Sequence, residues 1–392
     1  MTYFTQILLL FVLVLVTSFL ATWLVRTLMV KIGVMDMPTP EGRKAHGRPV
    51  AYEGGLAIWL GILVGLSALL FVMPDAILEY EHIRAMIIGS TLIVAIGVAD
   101  DIMDMRPIYK LGAQLAVGAF MYYQGFRIEK ISNPFGDELI FWNSLSLAGT
   151  CLWYGLLING INMIDGMDGL ATGIVGISAV TLGAIALDMD MVFAAILCLV
   201  LLAACLGFLP FNFNPATIFM GDAGSMLLGF MLASITLLSS SKAPAFLALI
   251  IPMLAVGIPL FETCFAFSRR LLSGQHPFKA DRRHLHHRFL ALGFSERRTV
   301  LTFYYITAYF GVTAYVLQRL EARSTLPLVG IIIIGMLVLI ENMSFLEKRS
   351  RSGLTPLGIP SVSVAEPVST VQSAAPAALA VKRKRKRRRK HR

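Results

Sequence analysis

Charged side chains are scarce in this sequence, which excludes an ordinary water-soluble globular protein. Only 15% of the 392 residues are Asp, Glu, Lys or Arg, while 56% are hydrophobic and the mean hydropathy is +0.72. A soluble chain of this length needs far more charged surface. The composition therefore predicts an integral membrane protein.

Cysteine pairing and an amino-terminal cleavage signal are also missing. The four cysteines lie in apolar runs without Cys-x-x-Cys spacing, so they predict no disulfide framework. The first apolar run, from about Phe4 to Leu24, has neither a basic segment before it nor a small-residue cleavage site. We interpret this run as a retained spanning helix and not as a secretory signal.

A broad basic face is absent, although the net charge is +10. Residues 382–392 contain ten Lys and Arg, and the rest of the chain has 24 basic and 24 acidic residues. This placement argues against a nucleic-acid partner and predicts a polybasic tail attracted to anionic membrane lipids. Residues 346–381, rich in Ser, Pro and Ala, are predicted to be a flexible linker after a transmembrane domain at 1–345.

Long apolar runs recur along the chain, and each is long enough to cross the hydrocarbon core of a bilayer. They predict an all-α, polytopic membrane bundle of about 11 transmembrane helices. The distribution of Lys and Arg between the loops places the amino end in the periplasm and the carboxyl end in the cytoplasm. The predicted spans are 5–29, 55–73, 85–100, 110–124, 144–159, 168–187, 191–209, 223–239, 244–267, 300–318 and 326–343.

Two polar motifs at the predicted cytoplasmic ends of spans stand out. Asp100, Asp101 and Asp104 are three or four residues apart on a helix, so their carboxylates would repel unless a cation such as magnesium relieved the repulsion. A solvated helix end is the alternative. Residues 159–169 hold more polar and glycine residues than a tight turn needs, which predicts a ligand site. Its amides and acids are Asn159, Asn162, Asp165 and Asp168.

Two further motifs are more ambiguous. Asp222 opens a predicted span, where an acid can be an N-cap or part of a phosphate site. A predicted cytoplasmic loop holds three histidines among arginines, and their spacing favours a diphosphate ligand over zinc. The residues of this loop motif are Arg282, His284, His286 and His287. In the first loop, Lys44 can be a topological signal alone, and a lone histidine such as His46 usually has no special role.

Together these motifs resemble the polyprenyl-phosphate N-acetylhexosamine-1-phosphate transferase family, also called glycosyltransferase family 4. They follow the family's order across residues 36–294. The His-x-His-His form resembles the branch that primes O-antigen, enterobacterial common antigen or teichoic acid. The matching residues are Arg43-Lys44-x-His46 with Gly54-Gly55, Gly97-x-x-Asp100-Asp101 with Pro107, Lys110 and Gln114, Asn159-x-x-Asn162-x-x-Asp165-Gly-x-Asp168-Gly, Phe219-Met-Gly-Asp222-x-Gly-Ser225 and His284-x-His286-His287.

The resemblance implies a phosphotransferase of the bacterial inner membrane with a cytoplasmic active site. It implies transfer of N-acetylglucosamine-1-phosphate from UDP-N-acetylglucosamine to undecaprenyl phosphate, with Mg²⁺ as cofactor and Mn²⁺ as a substitute. Another UDP-N-acetylhexosamine or UDP-MurNAc-pentapeptide is the alternative donor, and a homodimer is left open. A transporter is a more distant alternative, because the acids gather at one face and no internal repeat is evident.

The resemblance also implies roles for individual residues. It assigns metal binding to Asp100, Asp101 and Asp222. It assigns catalysis to Asp100, Asp101, Asp165 and Asp168. It assigns substrate binding to Lys44, His46, Asn159, Asn162, Arg282, His284, His286 and His287. Direct attack by the lipid phosphate is the preferred mechanism, and a covalent aspartyl-phosphate route is the alternative.

Overall fold

The computed structural model describes residues 3–37, 49–72, 80–128, 130–131, 139–140, 143–240, 257, 289–290, 293–320, 327–332 and 334–335. The predicted linker and basic tail lie outside these residues. So do six predicted substrate-binding residues, namely Lys44, His46, Arg282, His284, His286 and His287. The roles of these residues and the predicted domain boundaries stay predictions.

Helices dominate the described residues, which confirms the prediction of an all-α architecture. The helices are α1 (Tyr3–Ile32), α2 (Gly55–Val72), α3 (Tyr80–Met103), α4 (Pro107–Tyr123), α5 (Asn143–Ile164), α6 (Leu170–Asp188), α7 (Val192–Asn212), α8 (Gly221–Ser240) and α9 (Glu296–Gln318). Two short antiparallel pairs join β1 (Met35–Asp36) to β2 (Val50–Ala51) and β3 (Lys130–Ile131) to β4 (Leu139–Ile140).

Seven helices of the described part are long and apolar enough to cross a membrane: α1, α3, α5, α6, α7, α8 and α9. A shorter apolar helix runs over Gly55–Phe71. The protein is therefore a polytopic membrane protein. The predicted count of 11 spans is not confirmed. Helix α4, over the span predicted at 110–124, is not among the seven, and the spans predicted at 244–267 and 326–343 are described only in part.

Helix α8 lies at the centre of the bundle. Buried residues make up 89% of its most apolar stretch, against 28% in α1 at the periphery. Helices α3 and α5 flank α8, and α4 packs against α5. Helix α1 packs against α2 and α7, while α6 lies against α7 and α9. A residue in the first turn of α8 is therefore surrounded by several helices.

Two glycines allow α2 and α3 to touch the beginning of α8. A β-carbon on Gly97 would lie 2.3 Å from the Cα of Ala223, and one on Gly55 would lie 2.2 Å from the backbone nitrogen of Gly224. No residue other than glycine fits such an approach without displacing a helix. These contacts bring the last turn of α3 and the first turn of α2 to the first turn of α8.

The residues before α2 run beside the residues before α8. The backbone N–H of Phe219 donates to the carbonyl of Ala51 at 2.9 Å. The N–H groups of Gly54 and Gly55 donate to the carbonyls of Phe219 and Met220, both at 2.8 Å. This ladder fixes residues 51–55 against the beginning of α8.

Candidate active site

Three predicted acids and one lysine meet where α3, α4 and α8 converge. Asp100 and Asp101 lie in the last turn of α3, and Asp222 lies in the first turn of α8. The amino group of Lys110, in the first turn of α4, lies 2.7 Å from Oδ2 of Asp100 and 2.8 Å from Oδ2 of Asp222. An internal cation thus joins two carboxylates that are far apart in the sequence.

Asp101 is held by hydrogen-bond donors at the beginning of α8. Its carboxylate accepts from the backbone N–H of Asp222 at 3.1 Å, from the N–H of Ala223 at 3.2 Å and from the Tyr52 hydroxyl at 3.2 Å. Helix N-termini favour anions because their first N–H groups have no partner within the helix. Burial, with the negative charge of Asp101, raises the pKa of Tyr52, so its hydroxyl stays protonated as a donor.

Asn162 lies in this cluster, whereas Asn159 makes its hydrogen bonds outside the cluster. The side-chain amide of Asn162 donates to Oδ1 of Asp222 at 2.5 Å and to the Ser225 hydroxyl oxygen at 2.8 Å. One turn earlier on α5, Asn159 donates to Oε1 of Gln114 at 2.6 Å and to a carbonyl of its own helix. Asn162 therefore orients a site carboxylate, whereas the amide hydrogens of Asn159 fasten α5 to α4.

Asp168 fastens the turn between α5 and α6 to neighbouring segments. Its Oδ2 accepts from the backbone N–H of Ala216 at 2.8 Å and from the amide of Asn214 at 3.4 Å. Asn214 also donates to Oε2 of Glu296 at 2.8 Å, at the beginning of α9. Asn214 and Glu296 were not singled out from the sequence, because their hydrogen bonds join segments that are far apart along the chain.

Asp165 lies in the same turn but accepts no hydrogen bond from the part of the chain that the structure describes. Burial raises its pKa, and the negative charges of Asp222, Asp101 and Asp168 raise it further, to about 8. Without a bound cation, this carboxyl therefore holds a proton near neutral pH. Such a shift marks a functional-site candidate with an identified physical cause.

Glu53 is an acidic residue near the site that the sequence analysis did not identify. It is 7% exposed, and its Oε2 has no hydrogen-bond partner among the described residues. Burial raises its pKa to about 7, with contributions from the negative charges of Asp101 and Asp222. One signal could have revealed it, since Glu53 is the only charged residue in 49–74.

The donor chemistry of the cluster fits a hard divalent cation. Magnesium commonly uses one or two protein carboxylates together with substrate phosphates and water. The ammonium of Lys110 between Asp100 and Asp222 shows that these oxygens can share a positive charge. Within the described ranges, no group of three or more His, Cys, Asp or Glu side chains is arranged to hold a metal. Magnesium and its assignment to Asp100, Asp101 and Asp222 stay predictions.

Known proteins match most of this chain. The model of glycosyl transferase family 4 matches residues 83–240. The probable undecaprenyl-phosphate N-acetylglucosaminyl 1-phosphate transferase of Bacillus subtilis is 34% identical over 339 residues, covering 86% of this chain and 92% of that protein. The decaprenyl-phosphate N-acetylglucosaminephosphotransferase of Mycolicibacterium smegmatis is 33% identical over 312 residues, covering 74% of this chain and 76% of that protein.

A more distant relative carries a similar name. The undecaprenyl-phosphate alpha-N-acetylglucosaminyl 1-phosphate transferase of Escherichia coli is 28% identical over 273 residues, covering 68% of this chain and 72% of that protein. The family match at residues 83–240 includes the acids of α3 and α8 and the turn after α5. With the acidic cluster at the helix ends, these similarities show that the chain belongs to glycosyl transferase family 4 and is a membrane-embedded sugar-phosphate transferase.

Proposed function

We propose that this protein transfers N-acetylglucosamine-1-phosphate from UDP-N-acetylglucosamine to undecaprenyl phosphate and releases UMP. The reaction takes place at the cytoplasmic face of a bacterial inner membrane and begins a cell-envelope polysaccharide. The observation that carries this proposal is the cluster of Asp100, Lys110 and Asp222 at the ends of membrane helices. At the end of a membrane helix, a lipid phosphate from the bilayer can meet a nucleotide-sugar from the water.

The names of the relatives support the choice of substrates. All three name an N-acetylglucosaminyl or N-acetylglucosamine group, and all three name a polyprenyl phosphate. They favour N-acetylglucosamine over a muramoyl-pentapeptide donor. The undecaprenyl chain of two of these names favours undecaprenyl phosphate as the acceptor here.

The transfer is a displacement at phosphorus. An oxygen of the lipid phosphate forms a bond to the β-phosphorus of the UDP-sugar, and the bond from that phosphorus to the bridging oxygen breaks. UMP leaves with the bridging oxygen and its electron pair. Bound magnesium would supply positive charge that reduces repulsion between the two anions and stabilises the leaving group.

The described residues suit distinct parts of this reaction. The ammonium of Lys110 can donate hydrogen bonds to phosphate oxygens, as it now does to Asp100 and Asp222. One of Asp100 and Asp101 keeps the acceptor phosphate deprotonated. Asp100 accepts from the Met105 backbone N–H at 2.9 Å and from Lys110, whereas the donors to Asp101 include two N–H groups of α8. Asp101 therefore also positions the beginning of α8.

The covalent route differs in one observable. It requires an aspartyl phosphate formed from the UDP-sugar before the lipid binds, whereas direct attack forms none. Incubation of the purified protein with β-³²P-labelled UDP-N-acetylglucosamine, without lipid, separates the two. Stable labelling of the protein would contradict direct attack.

The proposal is tested by measuring UMP release from the purified protein in detergent. With UDP-N-acetylglucosamine, undecaprenyl phosphate and Mg²⁺ together, we expect release that stops when either the lipid or the cation is omitted. The tested variant is Asp222→Asn, which changes an acid of the cluster. Its matched control is Asp188→Asn, which changes an acid in an exposed ion pair at the end of α6. Release with UDP-MurNAc-pentapeptide alone would contradict the proposed donor but not the reaction class.

A further inference from the structure

Glu53 has an environment that the fold alone does not explain. A carboxylate that is 7% exposed and has an oxygen without a hydrogen-bond partner in the described part of the chain is costly to bury. Its backbone adds to this cost, because φ is 69°, in the left-handed region that favours glycine. Strain of this kind concentrates at functional sites.

The surrounding backbone holds Glu53 in place without using its side chain. The N–H groups of Gly54 and Gly55 donate to the carbonyls of Phe219 and Met220 at the beginning of α8. A β-carbon on Gly54 would lie 2.6 Å from the ring of Phe208, so the turn has little room to change. The backbone at residue 53 is therefore held beside α8 by contacts that do not involve its side chain.

The neighbours of Glu53 carry mostly negative charge. Tyr52, the preceding residue, donates to Asp101, and Glu53 itself experiences the charges of Asp101 and Asp222. Among the described residues, Lys110 is the only cation in contact with Asp100, Asp101 or Asp222. The negative charge thus exceeds the positive charge, and a further carboxylate increases the excess.

We propose that Glu53 is a further cation-binding residue, which holds a hydrated divalent cation beside Asp101 and Asp222. This inference rests on the proposed function, in which magnesium takes part. Because Mg²⁺ usually keeps several of its waters, a carboxylate can contribute through a water molecule as well as directly. A bound cation would also provide the positive partner that the Glu53 carboxylate does not have among the described residues.

The test measures cation binding in the absence of nucleotide and lipid. The full-length protein in detergent is titrated with Mn²⁺, and free Mn²⁺ is followed by electron paramagnetic resonance, with Mg²⁺ as competitor. We expect Glu53→Gln to raise the dissociation constant for Mn²⁺ at least about tenfold. The matched control is Glu81→Gln. Glu81 is an exposed glutamate in the first turn of α3, far from Asp101 in the last turn, and it pairs with Arg84. This control is expected to keep the wild-type affinity.

A second variant separates cation binding from a structural role. Glu53→Met has similar length and no charge, so we expect the same loss of Mn²⁺ affinity with an equal or higher unfolding temperature in EDTA. A structural role predicts the reverse, a lower unfolding temperature and unchanged affinity. Unchanged affinity in either variant, or no Mn²⁺ binding by the wild type, would overturn the inference. The proposed function is judged separately, by UMP release from the wild-type protein.

Discussion

At the scale of single residues, Lys110 is the described residue of the site whose positive charge offsets the carboxylates of Asp100 and Asp222. Its mostly buried ammonium contacts two carboxylates, so Lys110→Met leaves Asp100 and Asp222 facing one another without a cation. Removing one partner of a buried ion pair costs about 3–5 kcal/mol. We expect a lower unfolding temperature in EDTA, partial recovery in Mg²⁺ and loss of UMP release.

The matched control for this substitution is Arg319→Met. Arg319 contacts Asp188 at 2.6 Å, but on the protein surface, where ion pairs contribute little to stability. We expect its unfolding temperature to stay near that of the wild type. If both variants lose the same stability, the interaction of Lys110 with the two carboxylates is not the cause.

Asp165 makes stability depend on pH in a definite direction. Because its pKa is raised to about 8 in the folded protein, the folded state holds this proton more tightly than the unfolded chain does. The free energy of unfolding should therefore fall as the pH rises from about 4, the ordinary Asp value, through about 8. Asp165→Asn removes this contribution. Thermal unfolding in EDTA should then show a weaker pH dependence for the variant, and equal slopes would contradict the assignment.

At the scale of elements, the contact between α3 and α8 is the one that places the acids. Gly97→Ala puts a β-carbon 2.3 Å from the Cα of Ala223, so α3 must shift and Asp101 must lose hydrogen bonds to α8. We expect a lower unfolding temperature and UMP release reduced at least about tenfold, since small misplacements of catalytic groups are costly.

Gly112→Ala on α4 is the control for this change. A β-carbon there meets no atom within 4 Å, and glycine in a helix interior is less favourable than alanine by about 0.5–1 kcal/mol. We expect this variant to keep full activity and to unfold at the same or a higher temperature. A similar loss of activity in both variants would show that the α3–α8 contact does not control the site.

The sequence predicted well which motifs come together, but it predicted poorly which atoms each residue contacts. Asp100, Asp101, Asn162 and Asp222 come together because each stands at an end of a predicted membrane helix on the same side. The hydrogen bonds of Asp101 to α8 could not be predicted, because they depend on how closely two distant helices approach. Glu53 was missed for a related reason, since its burial arises from the ladder between residues 51–55 and 218–220.

At the scale of the whole molecule, the orientation in the membrane is open to direct measurement. The turn after α3 holds Asp104 and the turn after α6 holds Asp190, both exposed and both with positive φ, near 52° and 56°. The distribution of Lys and Arg predicts that the first turn lies in the cytoplasm and the second in the periplasm. The two positions are therefore matched in backbone strain.

Labelling of Asp104→Cys and Asp190→Cys with a membrane-impermeant maleimide tests this orientation. In intact spheroplasts we expect labelling of Asp190→Cys only, and after lysis labelling of both. The wild-type protein gives the background, because among its described cysteines Cys151 is half-buried and Cys198 and Cys205 are buried. Labelling of Asp104→Cys in intact spheroplasts would show the opposite orientation, with the acidic cluster outside the cytoplasm.

The central position of α8 has a consequence for inhibition and resistance. Among the described spanning helices, the one that carries Asp222 is the most buried, so changing that helix means disturbing the interior of the bundle. We expect substitutions that reduce the affinity of a competitive inhibitor, yet preserve viability, to avoid α8. They should instead fall at less buried positions near the site, such as Asn214 and Pro215 or the first turn of α9. The most enclosed of the described spanning helices is thus the part of the site in which resistance should arise most slowly.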